Sequence, residues 1–306
     1  MKRVLFLLIA ILYADVGFAL TIATGPSGGT YIQIARDIQR VSQKDGVSLD
    51  ILPTKGSFEN MVLLGDQKVD LAIAQIDALA FFAKVMKPQG VDVLQTIRVI
   101  LHLYPEEIHV LTNNQAITSF RQLQGKRVSF GPKDGGSALT GEVLLDAYGM
   151  QVEKSYLDPK EALDRLKMQQ LDAMVFVAGA PVSLFKNLGS GFQFVELPKD
   201  DSLEQTYNRK TLDRTLYDWA TRTETYTVPS VLMGRDTKDQ LYAQNVQKLV
   251  LSILSHQDEL KASGHEKWKY SKINAPLNYF GYGPANDAIR LYHQLESLGY
   301  KIYRPQ

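Results

Sequence analysis

The sequence predicts an α/β fold of two similar lobes, each a mostly parallel sheet flanked by helices, with the lobes joined by two crossover strands. Three observations predict it. Strand-like and helix-like patterns alternate from residue 20 onward. A βαβ unit that opens on a Gly-Pro-rich turn occurs twice. Two long apolar runs are each interrupted by a single proline.

Taken in order, "LTIAT" (20–24) reads as a strand, after which Tyr31, Ile34, Ala35, Ile38 and Val41 recur at helical spacing. "LDILPT" (49–54) is a second strand and "SFENMVLLGDQ" (57–67) a short helix with Ser57 placed to cap it. "VDLAIAQID" (69–77) is a third strand, whose unbroken apolarity suits a parallel position buried on both faces. The same order then returns. "KRVSFG" (126–131) is a strand, Val143, Leu144, Ala147 and Tyr148 mark a helix face, and "LDAMVFVAG" (171–179) is another buried-type strand. Before that strand, Asp158-Pro159-Lys160-Glu161 combines an N-cap, a proline at the first helical position and a capping-box Glu. Both units run from a Gly-Pro turn to an Asp that opens an apolar run, Gly25 to Asp70 and Gly131 to Asp172. Two copies imply two lobes and no solenoid.

Between the units lies "RVILHLYPEEIHVLT" (98–112), broken at Pro105; later comes "TYTVPSVLMG" (225–234), broken at Pro229. Proline cannot donate to a sheet ladder, which disfavours a central strand. The two runs are therefore read as paired crossovers, with lobe I formed by residues 20–105 and 229–306 and lobe II by residues 106–228. Two sequential domains with a boundary near 115 is the alternative, and it leaves the second proline-broken run without a role. From residue 237 the tail is helical, with Leu241, Val246, Leu249, Val250, Ile253 and Leu254 on one face.

Composition narrows the function classes. The chain has 306 residues, 45% of them apolar, and a formal net charge of +1, which argues against a nucleic-acid partner. Residues 1–19 read as a secretory signal peptide: Lys2 and Arg3, an apolar core from Val4 to Tyr13, and small residues Gly17 and Ala19 at the cleavage positions. A membrane anchor or a buried first strand is the competing reading of that segment. Cysteine is absent, so the fold is held without disulfides. Export without disulfides suits a bacterial periplasm.

The chemistry concentrates in two turns, "GPSGGTY" (25–31) and "GPKDGGSA" (131–138), each between a strand and a helix. A helix N-terminus presents unpaired N–H groups and partial positive charge, and glycines let a ligand approach the backbone, so "SGGT" and "DGGS" look like anion cradles. In α/β lobes ligands bind beyond the carboxyl ends of strands, so two such turns facing each other would clamp a small acid. A plain strand–Gly–helix turn is the alternative for either one alone. Neither turn fits a P-loop, which needs a Lys after the glycine pair, or the G-x-G-x-x-G dinucleotide pattern. Further candidates stand at strand ends: Lys55, Gly56, Ser57 and Asn60 after the second strand, Gln75 and Asp77 at the end of the third, and Gly179 and Ala180 at the end of the matching strand in the second unit. Ser57 either caps its helix or faces ligand, Lys55 is either a ligand partner or a solvated charge, and Tyr31 is either core or a ligand-stacking ring. Asp77 is placed to cap a following helix. No histidine spacing supplies a metal site, and neither an H-E-x-x-H nor a G-x-S-x-G motif occurs. The chain is accordingly read as a non-enzyme without cofactor.

Nearly the whole chain after residue 19 resembles the TAXI family of extracytoplasmic solute receptors of TRAP transporters. The resemblance is carried by "IATGPSGGTYIQIA", "TKGSFENMVLLGDQKVDLAIAQID", "LYPEEIHVLT", "LQGKRVSFGPKDGGSALTGEVLLDAYG" and "LDAMVFVAGAP" in that order. It implies a type II-like periplasmic-binding-protein fold that closes like a hinge on a glutamate-like or 2-oxoglutarate-like acid. The implied partners are that ligand and the TRAP membrane subunits, with the receptor acting as a monomer. A sensor of the same fold, serving a membrane histidine kinase or chemoreceptor, is the alternative, and an exported enzyme a more distant one. Ligand positions implied by the motifs are Gly28, Gly29, Thr30, Tyr31, Ser57, Asn60, Gln75, Gly135, Gly136 and Ser137, to which the residue chemistry adds Ser27 and Lys55. The chain departs from the family pattern at Lys55, where small residues are common, and at Asp134, where Gly is frequent.

Overall fold

The structure is a computed structural model that describes residues 19–275, 277 and 281–297. The expected signal peptide, Ala19 excepted, lies outside the described residues. Among those residues no helix is long and apolar enough to cross a membrane.

Strands β1 (Leu20–Ala23), β2 (Leu49–Leu52) and β3 (Leu71–Gln75) alternate with helices α1 (Thr30–Ser42) and α2 (Ser57–Gly65); α3 (Ile76–Met86) and a single turn, α4 (Val93–Thr96), lead into the long β4 (Ile97–Thr112). The second unit comprises β5 (Arg127–Ser129), α5 (Gly136–Tyr148), β6 (Glu153–Ser155), α6 (Pro159–Lys167) and β7 (Ala173–Ala178). After β8 (Gln193–Phe194) and β9 (Asn208–Leu212) the chain returns along β10 (Thr223–Arg235) and ends in α7 (Gln240–Ser255), α8 (Gln257–Ser263) and α9 (Gly283–Ser297). The strands make one sheet in the order β2-β1-β3-β10-β4-β7-β5-β6, with β8 added to β4 and β9 to β10. Each end is parallel, as the alternating pattern requires; the two long strands run antiparallel between them.

The two proline-broken runs pair with each other, and Pro105 stands opposite Pro229. Contrary to expectation, they occupy the middle of the sheet. The prolines are tolerated because both strands change outer neighbour there. β10 pairs β9 through Thr227 and β3 from Ser230, while β4 takes up β7 from Glu107. The ladder is irregular just past Pro229, where it loses little by lacking an N–H.

Packing changes sides at the same place. Two apolar clusters on one side draw on residues up to Tyr104 and from Val231 onward, with Leu139 of α5 the exception; two on the other use residues 108–228. The tail helix α7 buries Val246, Leu249, Val250, Ile253 and Leu254 as its spacing predicts, but Leu241 in its first turn faces solvent. His109, on β4, is a structural post. It donates to the Phe176 carbonyl at 3.2 Å and accepts from the Tyr217 hydroxyl at 2.8 Å, and burial pulls its pKa down to about 3, so it stays neutral.

Candidate functional site

The two glycine turns are built alike. Gly29 N–H donates to Pro26 O at 2.8 Å and Gly135 N–H to Pro132 O at 2.9 Å. Both glycines are N-caps in extended conformation, and neither helix has a side-chain cap or an acidic residue in its first turn. The first amides of α1 and α5 are therefore left for another acceptor. Even the strand anchors repeat: Asp70 accepts from the Thr21 amide and Asp172 from the Arg127 amide, each at 2.9 Å. Aligned on Pro26/Pro132 and Gly29/Gly135, Thr30 corresponds to Gly136 and Tyr31 to Ser137. The match is thus one residue out of step with the "SGGT"/"DGGS" reading.

Both turns line one cleft of about 580 Å³ between the halves of the sheet. Residues 28–31, Lys55, Ser57, Gln75 and 135–137 all contribute to it. Its apolar wall includes Phe176, Val177, Val182 and Leu184, and Lys160, Lys186, His265 and Glu266 also line it. Two expected residues do not line it. Ser27 sits exposed in the first turn. Asn60 is buried, with its amide donating to the carbonyls of Thr24 and Ile73 and its oxygen accepting from Thr54, so it ties α2 to β1 and β3.

Ser57 does not cap α2. The N-cap is Gly56, at φ 119°, a conformation that favours glycine. That frees the Ser57 hydroxyl to accept from the Gln75 amide at 3.1 Å and to contact Gln75 Oε1 and the Tyr31 hydroxyl, each at 3.2 Å. Tyr31 is both core and cleft: buried, it donates to Glu106 Oε2 at 2.7 Å. Glu106, 4% exposed, stands on β4 beside Pro105 and lines the cleft. Burial pushes its pKa up to about 8, with Asp77 and Glu107 adding to the rise and the Tyr31 hydroxyl and Lys267 opposing it. Glu107 points to the opposite face, where it accepts from Lys267 Nζ at 3.1 Å and the Ala180 amide at 2.6 Å.

The halves are closed on each other. Lys55 Nζ meets Asp134 at 3.0 Å, so the two residues that depart from the family pattern are partners. The Glu59 amide donates to Asp134 O at 3.3 Å, and Gln75 Nε2 donates to Thr140 Oγ1 at 3.2 Å. Asp77, in the first turn of α3, is no side-chain cap there; it accepts from Thr140 and Tyr207, both at 2.8 Å. Burial raises its pKa to about 6 against those two hydrogen bonds. Closest of all is Gly136: a Cβ there would lie 1.6 Å from Gln75 Oε1 and 3.0 Å from Ser57 Oγ. Only glycine lets α5 seat this way.

Sequence reasoning missed Glu106, Thr140 and Tyr207, and it named Asp77 without the two partners it accepts from. A signal existed for the first: two carboxylates in the middle of a 16-residue apolar strand are costly unless something uses them.

A mixed sheet in two halves, crossed by two strands, with a cleft where the strand order changes, defines a protein of the type II periplasmic-binding-protein fold. The NMT1-like family profile matches residues 22–279, and the chain belongs to that family. Among solved structures it is similar to Tv2483 bound to L-arginine (12% identity, covering 85% of this chain and 95% of that one, TM-score 0.54). It is also similar to XAC2383 from Xanthomonas citri bound to ATP (12%, 91% and 98%, 0.50). At such identities the likeness is one of fold.

Proposed function

We propose that this protein is an extracytoplasmic solute receptor that closes on a small carboxylate, an organic acid or amino acid of glutamate-like or 2-oxoglutarate-like kind. One observation carries the reading. Two uncapped helix N-termini, one from each half, line the same cleft, so a carboxylate between them neutralises both and holds the halves together. The contacts fall to the amides and side chains of residues 28–31, Ser57, Gln75 and 135–137, with Lys55 at the edge. Ser27 and Asn60 act by shaping the first turn and its strands. The moving parts are lobe I (20–105 and 229–306) and lobe II (106–228), a division supported by the packing that changes sides at the paired prolines. Ligand contacts from both lobes favour the closed form, which a membrane partner then reads. That partner, a TRAP-type transporter, rests on the resemblance of the motifs. The periplasmic location rests on the residues before Leu20 together with the fold, and the monomer on the resemblance.

A thermal-shift and calorimetric screen of organic acids and amino acids tests the function. Saturable one-to-one binding of one chemical class is expected; silence across both sets overturns it. Uptake by vesicles carrying TRAP membrane subunits, dependent on added receptor, tests the partner.

A further inference from the structure

We propose that the ligand carries an ammonium group as well as a carboxylate, and that Glu106 is its counter-ion. This rests on the receptor reading above and narrows the ligand from acids in general to α-amino acids. Glu106 is more than nine-tenths buried, yet it lines the cleft. One carboxylate oxygen accepts from Tyr31, and among the described residues no side chain or amide donates to the other. Among the described residues no cationic side chain is paired with it. The nearest buried cation, Lys267, is held by Glu107 on the other face of β4, and Lys55 is turned to Asp134 at the edge.

A carboxylate dried by closure and left without a cation is unfavourable as an anion, which is why its proton is held so firmly. A ligand that brings its own positive charge relieves that cost. The helix N-termini on one side and Glu106 on the other then present opposite signs to one small molecule, which is the charge pattern of a zwitterion. Tyr31 is the positioning residue: its hydroxyl holds one oxygen of the carboxylate at the cleft wall. The apolar wall of Phe176, Val177, Val182 and Leu184 takes the hydrocarbon part.

The test is a matched-pair titration. The L-amino acid that binds tightest in a calorimetric panel is compared with its 2-oxo and 2-hydroxy analogues, first on the unaltered protein. The analogues are expected to bind weaker by on the order of 100-fold. The Glu106→Gln variant, close in shape, should lose a similar factor for the amino acid while holding the analogues as well or better, so the preference collapses. Two results overturn the proposal: analogues that bind the unaltered protein within about threefold of the amino acid, or a Glu106→Gln variant that keeps the amino acid and its preference. Binding of oxo acids alone would defeat this inference and leave the receptor standing. Silence from both series would remove the receptor reading itself. The comparison on the unaltered protein decides the matter even if the variant does not fold.

Discussion

The two glycine turns share a backbone and differ in chemistry. In each, a proline carbonyl accepts from a capping glycine and a helix begins with its amides uncapped. At the position after the cap, the first turn has Thr30 and the second Gly136. At the next, the first has Tyr31, bonded to Glu106 and Ser57, and the second has Ser137, bonded to the Val177 amide of its own half. The first turn therefore reaches the charged recognition group through Tyr31, and the second brings bare backbone and a close fit against Gln75 at 136. Duplication supplied the clamp; divergence at two positions gave one jaw the polar network and made the other the lid.

The largest effect should come from the lid. Gly136→Ala places a methyl group on Gln75 and Ser57, so closure is blocked and affinity in calorimetry falls on the order of 100-fold, while circular dichroism stays native. Thr30→Ala, at the equivalent position, changes affinity by less than about threefold. Equal losses at both sites would mean the turns are interchangeable, and the asymmetry would be wrong.

Next come Tyr31 and Ser137. Tyr31→Phe removes the donor that orients Glu106 and should weaken binding about tenfold, the size of one hydrogen bond to a charged group. Ser137→Ala instead leaves the Val177 amide short of a partner inside its half. It should lower the melting temperature by on the order of 3 °C with a smaller change in affinity. The reverse pattern would break the division of labour.

A smaller signal is expected from pH. Glu106 and Asp77 have carboxyls raised by burial, to about 8 and about 6 from the ordinary 4.5 and 3.8, so the folded, closed, ligand-free protein binds more protons than the unfolded chain between those values. Their contribution to stability is full below about pH 4 and is lost as pH rises toward 8. The melting temperature without ligand should fall by on the order of 5 °C from pH 5 to pH 8. Glu106→Gln and Asp77→Asn should each flatten that slope. A melting temperature that rises over this interval contradicts the burial of these groups in the ligand-free state. Smallest of all, Lys55→Ala breaks a pair exposed at both ends and should move affinity by less than about threefold.

Much of the scaffold could be read in the chain because it depends on local rules. The period-2 and period-3.6 patterns, the Asp158-Pro159 helix start and the proline-marked crossovers are local signals, and the structure has strands, a capped helix and paired crossovers at those places. What could not be read depends on pairs far apart in sequence. Glu106 becomes a cleft residue only because β4 passes under Tyr31, 75 positions earlier in the chain. Asn60 matches a ligand motif, yet its amide turns inward to the backbone carbonyls of Thr24, just past β1, and Ile73, within β3. The one-residue offset between the turns shows only when the proline carbonyls reveal which glycine caps which helix. Gly56 likewise takes the cap from Ser57, because a positive φ is required there.

The central claim, a solute gripped by both turns at once, is tested most directly by a crystal structure with the tightest-binding amino acid. The account predicts the ligand carboxylate about 3 Å from amide nitrogens of both α1 and α5, with the ammonium at Glu106. A ligand that touches one turn only, or that lies outside the cleft, would contradict it.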